Sequence, residues 1–145
     1  MFQKLLAWSP GFLICGLLLL FCYTKNHFYL LLGLAAILQM IALNPLYKCA
    51  AWAAGVRSPR PDTPTSNGMP SGHVSTFSCV LGLCLLFKDK VSAGWILLLG
   101  VWTALVAWQR ISSGRHTVPQ VCGGVTQGAF DASWITALCV SMLVV

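Results

Sequence analysis

The sequence predicts an all-α integral membrane bundle of about five transmembrane helices with a polar site at one membrane face. Three observations carry that expectation. Hydrophobic residues make up 57% of the 145-residue chain and charged residues only 8%, whereas about a quarter of a soluble domain is charged. The three acidic residues are Asp62, Asp89 and Asp131, and there is no Glu. The apolar residues fall into long runs divided by short polar turns and one longer polar loop. A chain of this length has room for one domain. Residues 1–145 therefore read as one membrane-embedded unit, with a motif-bearing core over about 44–124.

The runs follow in order. Leu5 to Tyr23 spans 19 apolar residues, close to the ~20 that cross hydrocarbon as a helix. Lys4 flanks it, and Pro10 suits a first turn or a mild kink. Thr24-Lys25-Asn26 is a tight turn, so His27 to Leu43 returns antiparallel. Asn44-Pro45 interrupts that run before Leu46 to Val56. Either one kinked helix reaches Val56 or a short interfacial helix follows the span. Arg57 to Met69 is the longest polar, proline-broken stretch, and Gly55 with Pro59 and Pro61 separates it from the helix. Val74 to Phe87, Val91 to Trp108 and Val118 to Val145 complete the set, joined by Lys88-Asp89-Lys90 and by Ile111 to Arg115. In the last run, Gly123, Gly124 and Gly128 allow close helix packing. Asp131, deep in the same run, is expected to face protein or water in a structural hydrogen bond.

The net charge of +6 does not indicate nucleic acid, because the cations are scattered between apolar runs. They suit lipid headgroups at helix ends, with a few gathered around a phosphate. Their distribution between the two faces leaves the orientation open. The seven cysteines form no CxxC pair and sit in apolar runs, as small fillers do.

Five spans bring three pieces to one face: Arg60-Pro61, Pro70-Ser71-Gly72-His73, and Arg110 with His116. Pro70 before small residues suits the first turn of a helix, whose free N–H groups at Ser71 and Gly72 attract an anion. Arg60 and Arg110 can grip phosphate oxygens by forked hydrogen bonds and neutralise charge in the transition state. One histidine can attack phosphorus while the other protonates the leaving oxygen. No carboxylate cluster stands ready for Mg²⁺, so the expected chemistry is phosphoryl transfer without metal or other cofactor.

These residues resemble the type-2 phosphatidic acid phosphatase superfamily, which carries the motifs K-x6-R-P, P-S-G-H and S-R-x5-H-x3-D in that order. Arg60-Pro61 is similar to the end of the first motif, Pro70 to His73 to the whole of the second, and Arg110-x5-His116 to the core of the third. The resemblance implies a membrane lipid phosphatase whose site faces the lumen or cell exterior. It implies His116 as the nucleophile that becomes phosphorylated, His73 as the acid on the leaving group, and Arg60, Ser71, Gly72 and Arg110 as the phosphate grip.

Three positions depart from the motifs. The place of the lysine is taken by Ala53, and Lys48 lies five residues earlier, so it can substitute only if the helix unwinds or kinks near Gly55. Gln109 stands in place of the serine, and Gln120 in place of the aspartate that would orient His116. A glutamine carbonyl can hold the same tautomer without the charge, so Gln120→Asp is expected to be tolerated or to raise activity. Dolichyl diphosphatases look similar here: His116-Thr117-Val118-Pro119-Gln120-Val121 followed by glycines resembles their pattern, which favours a polyprenyl diphosphate substrate. The departures leave two alternatives open, an inactive relative that binds lipid phosphate and a small membrane scaffold or pore protein.

Overall fold

The computed structural model describes residues 6–63, 65 and 67–143, which fold into five helices with no strand among them. Lys4, Leu5 and the last two valines fall outside the described residues. Helix α1 is Ser9–Thr24, with Pro10 in its first turn. Lys25 takes the left-handed conformation and ends it, and the Asn26 carboxamide caps the next helix by accepting from the Phe28 N–H at 3.0 Å.

Helix α2 runs without a break over His27–Ala53. Of the two arrangements open for this stretch, the single long helix is observed. Pro45 has no N–H to give and crowds the carbonyl four residues before it. The helix absorbs this in a π-turn over Gln39–Leu43, where the Asn44 N–H reaches the Gln39 carbonyl, five residues back. Gly55, at φ +77°, then turns the chain away from the helix axis.

Helices α3 (Gly72–Leu86), α4 (Ala93–Ser112) and α5 (Val118–Leu143) complete the bundle, with a 3₁₀ turn at Lys88–Lys90. The first corrected expectation concerns Pro70, which lies outside the first turn of α3. Ser71 is extended (φ −73°, ψ 106°) and occupies the N-cap position. Its N–H is drawn across to the carbonyl of Gln120 on α5 at 3.0 Å, and this keeps the helix from starting earlier.

Helices α3 and α5 form the tightest pair. A Cβ on Gly124 would stand 2.7 Å from the Ser71 carbonyl oxygen, and one on Gly128 would collide with the backbone of Ser75 and Cys79. Only glycine allows that approach. One apolar core joins Leu32, Ala36, Cys79, Val80, Leu83, Ala132 and Ile135 across α2, α3 and α5. A second, made by Leu6, Val74, Phe77, Val106 and Val121, lies at the other end of α3, beside Gly72 and His73.

Two of the five helices, α2 and α4, are long and apolar enough to cross a membrane. At 1.5 Å per residue the 16 residues of α1 and the 15 of α3 extend only about 24 and 23 Å, short of a ~30 Å hydrocarbon core. Helix α5 has the length, but Gln120, Gln127 and Asp131 lower its apolar character.

Asp131 is fully buried and surrounded by donors. Gln39 Nε2 (2.6 Å) and Gln127 Nε2 (3.2 Å) donate to one carboxylate oxygen, and the Tyr47 hydroxyl (3.0 Å) and Trp134 Nε1 (2.8 Å) to the other. Ser75 Oγ extends the network by donating to Gln39 Oε1 at 3.1 Å. The structural hydrogen bond expected for this acid is therefore fourfold, and it ties α2, α3 and α5 together.

Candidate active site

The site lies where the 56–71 segment folds back over the starts of α3 and α5 and the end of α4. The Gly68 N–H donates to the Ser58 carbonyl at 2.7 Å, and Pro59 and Asn67 form an isolated antiparallel bridge. The polar stretch is thus a short hairpin with Arg60 on its first arm. Gly68 must be glycine, since a Cβ there would stand 2.7 Å from Arg60 Cγ and 2.6 Å from Gln120 Nε2.

All the candidate residues converge. Arg110, in the last turn of α4, is 3% exposed, and its Nε and Nη1 have no hydrogen-bond partner among the described residues. Its carbonyl accepts the backbone N–H groups of Arg115 (3.2 Å) and His116 (3.0 Å), which folds the link back so that His116 lies against the end of α4. Arg60 gives Nη2 to the Asp62 carboxylate at 2.7 Å, while its Nε is buried and has no partner among the described residues. Ser71 is fully buried with a free hydroxyl. Its N–H, which the sequence reading left free for an anion, is occupied by the Gln120 carbonyl. By helix geometry the N–H groups of Gly72, His73 and Val74 keep no intrahelical acceptor. Asn44 Nδ2 fixes the turn by donating to the Gly72 carbonyl at 3.2 Å.

His116 is 5% exposed, and its Nδ1 lies 3.2 Å from Gln120 Oε1. The orientation of that carboxamide follows from its other contacts. Its nitrogen faces the Ser58 carbonyl (3.1 Å), Ser58 Oγ (3.0 Å) and the Pro59 carbonyl (3.0 Å), and its oxygen also accepts the Thr117 N–H at 3.1 Å. A flipped amide would set oxygen against two carbonyls and nitrogen against an N–H. Gln120 Oε1 is therefore an acceptor, His116 carries its proton on Nδ1, and Nε2 keeps its lone pair. Burial, and after it the positive charge of Arg110, lowers the His116 pKa to about 4, with Arg60 and Lys48 adding to the effect and the Gln120 bond opposing it. At neutral pH the imidazole is uncharged. His73 Nε2 is 2.9 Å from the Ala7 carbonyl. A carbonyl only accepts, so Nε2 bears the hydrogen and Nδ1 is the nitrogen left to take or give a proton.

Lys48 belongs to the cluster although the helix does not unwind around it. It is half-buried on α2, and its charge acts on both His73 and His116. Ala53, at the motif position, is exposed. Arg115 is exposed, and its charge bears on His73. Arg57, also exposed, lies 3.5 Å over the Trp52 ring.

The sequence reading missed several members of the site. Pro59 and Ala7 act through their carbonyls, and Ser58 through its carbonyl and Oγ, so no motif spacing marked them. Asp62 and Asn44 carry a legible signal: an acid two residues after a gripping arginine, and a polar residue ahead of the helix proline.

The bundle thus gathers a basic cluster of buried guanidinium, hydroxyl and helix N-terminus beside a neutral imidazole with a free lone pair. The chain belongs to the PAP2 superfamily, whose model matches residues 28–142 and so takes in the whole pocket apart from the Ala7 contact. Members of that superfamily are phosphatases acting on phosphate esters. No curated protein and no solved structure matches the chain.

Proposed function

We propose that the chain is a multi-pass membrane lipid phosphatase, with its site at the luminal or exterior face, that hydrolyses a phosphate monoester or diphosphate through a phosphohistidine on His116. The observation that carries this reading is the buried Arg110 guanidinium, unpartnered at Nε and Nη1, beside an imidazole whose Nε2 lone pair is free. An unpaired buried charge is costly, and a phosphate dianion supplies what it lacks.

Arg110, Arg60, Ser71, the Gly72 turn and Lys48 hold the phosphoryl oxygens and stabilise the charge that builds in the transition state. His73 first takes a proton onto Nδ1 from the bound phosphate monoanion. His116 Nε2 then forms a bond to phosphorus as the bond to the leaving oxygen breaks, and His73 Nδ1 delivers that proton to the oxygen. Water then attacks phosphorus, gives a proton to His73, and the N–P bond breaks to release phosphate and the neutral imidazole. The low pKa of His116 keeps it in the attacking form at neutral pH. The amphipathic setting suits a substrate with an apolar tail and its phosphate at the interface, and the His-Thr-x-x-Gln-Val pattern favours a polyprenyl diphosphate. Membrane lipids surround α2 and α4, and the chemistry requires no cofactor.

The test is phosphate release by purified protein in detergent from phosphatidate, a short-chain polyprenyl diphosphate and glucose 6-phosphate. The expected result is release from one of the two lipids, unaffected by EDTA and abolished by His116→Ala. Folded protein that binds orthovanadate yet releases phosphate from none of them would point to a non-hydrolysing relative, with Ala53 and Gln120 as the causes. Strong inhibition by EDTA would overturn the metal-free mechanism.

A further inference from the structure

Gln120 is 1% exposed and joins the start of α3, the His116 imidazole and the hairpin. Its backbone carbonyl accepts the Ser71 N–H, and its side-chain oxygen accepts His116 Nδ1 and the Thr117 N–H. Its side-chain nitrogen donates into the hairpin at Ser58 and Pro59, directly before Arg60. Gly68 closes over that nitrogen from the other arm, at a distance no larger residue allows. One carboxamide therefore spans the gap between the imidazole and the segment that carries a phosphate-gripping arginine.

We infer that Gln120 is a positioning residue for Arg60 as well as for His116, and that this chain requires an amide where the family motif has a carboxylate. The inference rests on the proposed phosphatase reading for the roles of Arg60 and His116. The physical reason is donor inventory. A carboxylate accepts only, so it can hold His116 Nδ1–H but meets the carbonyls of Ser58 and Pro59 with like-signed oxygens. The hairpin then loses the tie to α5 that sets where Arg60 stands. Aspartate is also one methylene shorter, so it falls short of the hairpin. The expectation that Gln120→Asp is tolerated or raises activity is replaced by its opposite: a substantial loss.

The experiment is a double-mutant cycle in orthovanadate affinity, measured by calorimetry on the purified full chain in detergent. The four proteins are wild type, Gln120→Glu, Arg60→Ala and the double variant. Glutamate keeps the length and the acceptor for His116 and loses only the donors. If Gln120 acts through Arg60, Gln120→Glu weakens vanadate about tenfold in the wild-type background, as expected for lost bonds to buried carbonyls. In the Arg60→Ala background it weakens vanadate less than about threefold, since the residue it positions is gone. Equal losses in both backgrounds would mean that the new negative charge simply repels the anion, and would overturn the inference, as would no loss in either. Gln120→Met, neutral and of similar length, runs the same cycle without added charge and decides the matter should the glutamate variant fail to fold. Wild-type protein that binds no vanadate would overturn the phosphatase reading and this inference together, whereas binding with an additive cycle would overturn this inference alone.

Discussion

Removing the acceptor at Asp131 tests whether the buried network, rather than apolar packing alone, holds α2 against α5. In Asp131→Asn one oxygen remains, and the new NH₂ group must face one of the two donor pairs. Facing Gln39 and Gln127 would set amide against amide and break the Ser75 bond that depends on the orientation of Gln39. Facing Tyr47 and Trp134 costs less, because the tyrosine hydroxyl can turn to accept and only the Trp134 N–H loses its partner. One lost bond plus weaker neutral bonds at the rest amounts to about 1–2 kcal/mol. Asp131→Ala removes the acceptor for all four donors. Two of these bonds, from Gln39 and Tyr47, cross between helices, and such bonds in membranes average about 0.6 and reach about 1.7 kcal/mol. The fully buried Gln39 amide adds an unsatisfied donor at about 1–3 kcal/mol, for a total near 3 kcal/mol. At about 2–4 °C per kcal/mol for a chain of this size, the melting temperature in detergent should fall by about 2–8 °C for Asn and about 6–12 °C for Ala. Circular dichroism during heating reads both. A loss below about 2 °C for Ala, or equal losses for the two variants, would refute the donor argument.

Because burial and Arg110 lower the His116 pKa to about 4, its acylation by diethyl pyrocarbonate, followed by peptide mass, should hold steady from pH 8 to about 5 and halve near 4. A midpoint near 6.5 would mean that the imidazole is neither buried nor near the guanidinium in solution. The same shift acts on stability. Between pH 6.5 and about 4 the unfolded chain binds a proton at this histidine that the folded chain does not, so this contribution is complete above pH 6.5 and shrinks as the pH falls through that window. Asp62 holds Arg60 Nη2 at 2.7 Å, the nitrogen that a substrate phosphate would need on the proposed reading. Asp62→Asn should therefore tighten inorganic phosphate up to about fivefold, the range of an exposed ion pair. Unchanged or weaker phosphate binding in calorimetry would remove Asp62 as the competitor.

The helical order, the turns and the convergence of Arg60, Pro70–His73 and Arg110–His116 were all legible in the sequence, because hydropathy and motif spacing report chain reversals and side-chain chemistry directly. Helix lengths were less so. Composition marks Leu5 to Tyr23 as one apolar run, but α1 proper begins at Ser9. The start of α3 was misplaced because the competing acceptor for Ser71, a carbonyl on α5, lies 49 residues away in sequence. The same limit hid the double role of Gln120: its acceptor face is local to His116, while its donors reach Ser58 and Pro59 through contacts that only the folded chain creates. Asp131 stood out as an isolated acid in an apolar run. Its partners Gln39, Tyr47, Gln127 and Trp134 did not, since polar residues without charge carry no signal of where they point.

The scarcity of acids that marks this chain also explains the state of its pocket. Of the three aspartates, Asp131 is engaged by four neutral donors and Asp89 sits in the turn between α3 and α4. Among the described residues Asp62 alone pairs with a cation of the site, and it engages one nitrogen of Arg60 from an exposed loop. Arg110 is left buried with unpartnered nitrogens, and Lys48 and Arg60 both bear on the neighbouring His116. Mutual repulsion among these cations opposes folding, and an anion bound among them would relieve that repulsion. On the proposed reading, binding energy comes from charges that folding has already brought together. On the proposed phosphatase reading, the arginine that Gln120 holds in register through the hairpin is the one that the anion must first take from Asp62.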